Sequence, residues 1–280
     1  MSWRIGVRHR TGFRYAGTAH ASYNEARLSP LDTGTQLTLD HRVEVVPAAR
    51  LYRYRDYWST TVHAFDLHRP HTELTVTGVS TVETSSRVAF SQPAAWGELS
   101  GDRVTDRLCE YLAPTPTVPL EESIMDLAGE LRSGRQPRAA VDATSAWLRD
   151  NLVYEKGTTT VSTTASEVLT QRRGVCQDFV HLSLGLLRAQ GIPARYASGY
   201  LYPLQDGEIG ETVVGESHAW LEAWLGSWQA IDPTNGTDVA ERHVLIARGR
   251  DYDDVPPLKG VYHGAPGEAL GVEVELTRIA

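Results

Sequence analysis

The sequence predicts an α+β protein: an antiparallel, sandwich-like β-domain at the N-terminus, followed by a core of helices packed on antiparallel strands. Three observations carry this. Apolar residues alternate with polar ones from residue 1 to about 92, which is the period of half-buried strands. After Gln92-Pro93 the apolar spacing becomes helical. From Ala194 onward strand-like runs return, two of them joined by so short a turn that they pair antiparallel.

In the first region Trp3, Ile5 and Val7 alternate with polar residues. Leu37, Leu39, Val43 and Val45 keep one parity, as do Leu74 and Val76. Pro30, Asp32-Thr33-Gly34, Pro47 and Arg69-Pro70 separate these runs as turn formers. The aromatic cluster Tyr52, Tyr54, Tyr57 and Trp58 reads as core and edge packing. A helix is expected over 102–112, ending near Pro114-Thr115-Pro116, with Cys109 inside it as a small buried hydrophobe. Ile124, Leu127, Ala128 and Leu131 mark a second helix that Gly134 stops, and Val141, Trp147 and Leu148 a third over roughly 138–150. Thr164 and Glu167 fit a capping box for a short helix that Gly174 ends. A longer helix runs from about Cys176 to Gln190. Phe179, Leu182 and Leu186 line one face, and Val180, Leu184 and Leu187 lie beside it, so the helix is packed on several sides. Gly191 caps it and Ile192-Pro193 forbids continuation. Strands follow at 194–201, 217–225 and 228–232, the last two joined at Gly226-Ser227.

Composition narrows the function. Of 280 residues 41% are hydrophobic and 22% charged, which is enough to fill a core. A net charge of −8 without a basic stripe argues against nucleic acid as a partner. No apolar run approaches the ~20 residues of a membrane span. Met1-Ser2-Trp3-Arg4-Ile5-Gly6 lacks the apolar core of a signal peptide. The two cysteines, Cys109 and Cys176, form no Cys-x-x-Cys pair, so neither a thiolate zinc site nor a disulfide framework is expected. A reducing cytoplasm is the expected compartment.

Cys176 follows Gly174-Val175 and opens a helix, where the positive helix end and free N–H groups favour a thiolate. His218 and Asp232 follow in strand-like segments. The antiparallel pairing brings Asp232 alongside His218, since both lie away from the turn. A thiol, an imidazole and a carboxylate in this order suit thiol-based acyl transfer: Cys176 as nucleophile, His218 as proton shuttle, Asp232 fixing the tautomer of His218. The Cys176 backbone N–H is a natural oxyanion donor. Gln171, Gln177 and the Trp220 indole are candidates for a second. Asp178 and His181 are candidates for a supporting layer around the site. A zinc site of Cys176, His181 and His218 is chemically allowed, but residues five apart on a helix face different ways. No cofactor or metal is called for.

The motifs 174–182 (GVCQDFVHL), 191–201 (GIPARYASGYL), 217–224 (SHAWLEAW) and 231–236 (IDPTNG) resemble the bacterial transglutaminase-like proteins, often described as cysteine proteases. Residues 55–58 (RDYW) and 62–65 (VHAF) resemble that family's N-terminal β-domain, and 249–260 (GRDYDDVPPLKG) its C-terminal stretch. The resemblance departs at Ser59-Thr60-Thr61, where the family commonly has a Gly-Asn turn. It implies a papain-like core with Cys176, His218 and Asp232 as the triad. It also implies a division into a β-domain (1–95), a helical region belonging to the core (96–155), the catalytic core (156–240), and an extension (241–280) packing on the core or the N-terminal domain. Peptide or glutamine amides are the implied substrates, with an amine as optional acceptor. Hydrolysis, deamidation and transamidation share one triad. A non-catalytic binding module and a metal-binding protein are the alternatives. The charged stretch Arg248, Arg250, Asp251, Asp253 and Asp254 reads as a solvated loop, with a lid over the cleft as the other reading.

Overall fold

The structure, a computed structural model, describes residues 2–86 and 92–280; the end of the predicted β-region at 87–91 lies outside them. The first five strands are β1 (Ser2–Ala26), β2 (Gln36–Val46), β3 (Tyr52–Arg55), β4 (Thr61–Leu67) and β5 (His71–Ser85). Helices α1 (Trp96–Leu99), α2 (Asp102–Arg107), α3 (Glu122–Arg132) and α4 (Pro137–Asn151) follow. Next come β6 (Val153–Tyr154), α5 (Ala165–Gln171), β7 (Arg173–Gly174), α6 (Cys176–Ala189) and β8 (Ala194–Leu201). The chain finishes with β9 (Thr212–Gly215), β10 (Ser217–Trp224), β11 (Trp228–Asp232), β12 (Thr237–Asp238), β13 (His243–Gly249), β14 (Leu258–Gly264) and β15 (Gly267–Arg278).

The N-terminal β-domain is one eight-stranded antiparallel sheet. Its spine is β1, which pairs with β4, β5, β14 and β15. The sheet encloses Tyr15, Leu28, Phe65, Leu74 and Val76. On the outer face arginines of β1 lie beside glutamates of neighbouring strands, as in Arg4–Glu83 and Arg14–Glu73. Exposed pairs of this kind contribute little stability but fit the register. The turn that departs from the family pattern places Ser59 at φ 66°, a left-handed conformation glycine adopts more readily. Asp56 holds it by accepting the N–H groups of Trp58 and Thr60.

The core sheet has the order β12-β11-β10-β8-β13, antiparallel throughout. On one face Ala219, Leu221, Ala223 and Ile231 meet Val180, Leu184 and Leu187 of α6. The opposite flank of α6, through Phe179, Leu182 and Leu186, packs on Ile124, Ala128, Leu148 and Val168 from α3, α4 and α5. Every residue from Gln177 to Arg188 is buried, which explains the wide apolar surface of that helix. The other sheet face carries Trp220, Ala197 and Leu245, covered by Leu31 from the β1–β2 loop. Gln36 stitches this contact, donating to the Leu31 and Leu245 carbonyls and accepting the Leu245 N–H.

Several local expectations need correction. Helix α2 ends at Arg107, and the chain tightens into a 3₁₀ turn at Cys109–Tyr111. That turn buries Leu108 and leaves Cys109 exposed, so Cys109 is not a core residue. Helix α5 ends at Gln171, capped by Arg172, which is itself left-handed (φ 58°), rather than at Gly174. Glycine at 174 serves a different need: a Cβ there would lie 2.5 Å from Oδ2 of Asp178. The extension 241–280 supplies strands to both sheets, with β13 closing the core sheet and β14 and β15 joining β1. The charged stretch 248–254 is neither a free loop nor a lid. Asp251 is buried and accepts the Thr117 hydroxyl, Arg248 pairs with buried Glu222, and Arg250 pairs with Asp254. No helix among the described residues is long and apolar enough to cross a membrane.

Candidate active site

Cys176 is the first residue of α6 and is half-buried. The helix start is built by Asp178, whose Oδ2 accepts the Val175 N–H at 2.7 Å and the Thr159 hydroxyl at 2.6 Å. A carboxylate in the first turn satisfies a free donor and opposes the helix dipole. Burial nevertheless raises the pKa of Asp178 against these two hydrogen bonds.

His218 opens β10, one residue in, and Asp232 closes β11. The tight turn sets the register Leu221↔Ile231 and Trp224↔Trp228. Continued outward, that register puts Asp232 opposite Trp220, with His218 two places further along, a diagonal that an imidazole can span. The result is a 2.7 Å hydrogen bond from Nε2 of His218 to Oδ2 of Asp232. The Cys176 side chain lies within electrostatic reach of His218. Burial alone would lower the His218 pKa, but Asp232 and Cys176 outweigh it and raise the pKa to about 9. Tyr154, Lys156 and Tyr196 also lie within electrostatic reach of Cys176.

Asp232 is fully buried and strongly held. Its Oδ1 accepts the N–H groups of Thr234 and Asn235, both at 3.1 Å. Its Oδ2 also accepts the Asn235 amide at 2.7 Å and Nε2 of His243 at 3.3 Å. Desolvation pushes its pKa up, but the hydrogen bonds from His218, His243 and Asn235 prevail and hold it far below the ordinary carboxylate range.

Of the residues singled out from sequence, the structure joins His218 to Asp232 by a hydrogen bond and sets Cys176 within electrostatic reach of the same ring. The others take different places. Gln171 is exposed at the end of α5. The Gln177 amide donates to the Val161 carbonyl. Trp220 is buried against Leu31, Ala197 and Leu245. His181 is fully buried, with Nε2 accepting the Tyr252 N–H, and so does not join Cys176 and His218 as a metal ligand. His243 and Asn235 were not singled out. Asn235 follows Asp232 closely in the Asp-Pro-Thr-Asn-Gly turn, where an Asx-type contact was legible.

His218, Asp232 and His243 each offer a ligand atom, all within 4.8 Å of one another. Ligands around a tetrahedral zinc ion sit about 3.3 Å apart at ordinary bond lengths. The 2.7 Å between His218 and Asp232 is instead a direct hydrogen-bond contact. A thiol, an imidazole and a carboxylate in series can pass a proton from sulfur to ring and fix the ring's second nitrogen.

Comparison with known proteins shows the family and the fold. Residues 125–233 match the transglutaminase-like superfamily, and residues 5–83 match the bacterial transglutaminase-like N-terminal region. An uncharacterized protein of Mycobacterium leprae is 48% identical, spanning 99% of this chain and 100% of its own. An uncharacterized protein of Mycobacterium tuberculosis is 33% identical over 98% of this chain and 92% of its own. The crystal structure of a "Putative Cysteine Protease" from Cytophaga hutchinsonii superposes with a TM-score of 0.79 at 23% identity, covering 100% of this chain and 92% of that one, a likeness of fold.

Proposed function

Since the chain belongs to the transglutaminase-like superfamily and carries the bacterial N-terminal region, we propose that it is a thiol enzyme acting on peptide or glutamine amide bonds. The observation that carries this reading is His218, held by buried Asp232 through a 2.7 Å hydrogen bond and within electrostatic reach of the Cys176 side chain. Nε2 of His218 is taken by Asp232, which leaves Nδ1 to receive the thiol proton. The sulfur then attacks the amide carbonyl carbon and the C=O electrons move onto oxygen. The Cys176 N–H, the first free donor of the helix, is the donor we assign to that oxyanion; loss of such a donor typically costs ~3–4 kcal/mol of barrier. As the tetrahedral species collapses, the C–N bond breaks and Nδ1–H of His218 protonates the departing amine. An acyl thioester remains on Cys176. Water, deprotonated by His218, releases a carboxylic acid; a primary amine attacking the same thioester gives a new amide.

The test is a Cys176→Ala variant assayed against a peptide-amide library, with products read by mass spectrometry. Turnover is expected to vanish while the melting temperature stays close to wild type, because Cys176 is only half-buried. Undiminished turnover in the variant would remove Cys176 from the chemistry. Free acid or cross-linked amine among the wild-type products separates hydrolysis from transamidation.

A further inference from the structure

Asp232 receives a second imidazole in addition to His218. His243 comes from β13, at the far edge of the core sheet from β11. Its Nε2 lies 3.3 Å from the same Oδ2 that faces His218. Its Nδ1 accepts the Ala240 N–H, also at 3.3 Å. A ring nitrogen that accepts a backbone N–H carries no proton of its own, so the ring proton sits on Nε2 and points at Asp232. The ring is buried and meets Trp220 edge-on, with centroids 5.3 Å apart. Burial lowers the His243 pKa and Asp232 only partly opposes this, so the ring is neutral at physiological pH.

We propose that His243 is a positioning residue: a neutral hydrogen-bond donor that fixes Asp232 toward His218 and moderates the carboxylate's pull on the His218 proton. The proposal rests on the reading of Cys176 and His218 as nucleophile and proton carrier. Oδ2 accepts His218, His243 and Asn235 together, and every donor shares its lone pairs with the others. With one donor fewer, the carboxylate draws harder on the remaining protons and His218 holds its own to higher pH. A ring that binds its proton too tightly is a poorer acid toward the leaving amine. The titratable groups facing His218 are Cys176 from α6, Asp232 from β11 and His243 from β13; Arg242 acts on His243 in turn.

The experiment compares wild type, His243→Phe and His243→Gln by NMR titration of labelled histidines and by peptide-amide turnover. Phenylalanine keeps the ring volume without the donor, and glutamine places an amide N–H near the position of Nε2. In the Phe variant the His218 midpoint is expected to rise by about half a pH unit, the equivalent of one net hydrogen bond. Its kcat should fall about 10-fold or more at unchanged KM, as misaligned catalytic groups do. The Gln variant should restore both. A Phe variant with the wild-type His218 midpoint and kcat overturns the role of His243 alone, as does a Gln variant no better than Phe. A wild-type His218 midpoint near the ordinary 6.5 rather than about 9 overturns the relay itself, and this proposal with it.

Discussion

Replacing Asp232 by asparagine separates charge from shape at the centre of the site. The carboxylate accepts five hydrogen bonds: three on Oδ2, from His218, Asn235 and His243, and two on Oδ1, from the backbone of Thr234 and Asn235. An amide supplies one oxygen. Turned to keep the three contacts of Oδ2, it presents its NH₂ to the two backbone N–H groups. Each orphaned buried donor costs about 1–3 kcal/mol. Asn235 is exposed and Thr234 is partly so, which places the sum near the lower end, about 2 kcal/mol. At roughly 2–4 °C per kcal/mol for a chain of this size, the melting temperature should drop by about 4–8 °C. The loss of charge matters more for the chemistry. Without an anion on Nε2, the His218 midpoint should fall from about 9 toward 6.5, and turnover should fall by about 10⁴-fold, as when the carboxylate of such a triad is neutralised. Calorimetry, histidine NMR and peptide-amide turnover on one preparation test all three. A variant whose His218 still titrates near 9 would refute the assignment of Asp232 as the group that holds the ring.

Two other outcomes follow from the same geometry. Gly174→Ala places a methyl 2.5 Å from Oδ2 and 2.8 Å from Cγ of Asp178; displacing that cap should cost about 1–2 kcal/mol in denaturant unfolding and slow turnover, because Cys176 opens the same helix. The His218 ring, with its pKa raised from 6.5 to about 9, should stabilise the fold by about 3 kcal/mol below pH 6.5, a contribution lost as pH rises through 9. The difference in unfolding free energy between wild type and His218→Asn should therefore be largest near pH 6 and shrink above pH 9; a difference that grows with pH contradicts the raised pKa.

Much of the site was legible because its signals are local. Cys176 at the start of an apolar helix, the capping box at Thr164 and Glu167, and the short turn at Gly226 depend on residues close in sequence, and the structure contains each of them. The alternation of Ala219, Leu221 and Ala223 against His218 and Trp220 likewise follows from strand geometry alone. Strand order is not local. His243 reaches Asp232 because β13 pairs with β8, and β8 separates it from β10, an arrangement that no periodicity in 243–249 encodes. The strands β9 and β15 join the N-terminal sheet for the same unreadable reason. Charge misled the reading of 248–254, because buried partners such as Glu222 and Thr117 come from distant segments. A buried charge paired at long range looks, in sequence, the same as a solvated one.

The central claim is that the Cys176 sulfur is the reactive one because His218 takes its proton. Limited alkylation with iodoacetamide at pH 6, quantified by peptide mass spectrometry, tests it most directly. Cys109 is exposed and Cys176 only half-buried, so access alone favours Cys109. The predicted result is modification of Cys176 at least about 10-fold faster, a preference lost in His218→Ala. Equal rates, or faster labelling of Cys109, would contradict the account.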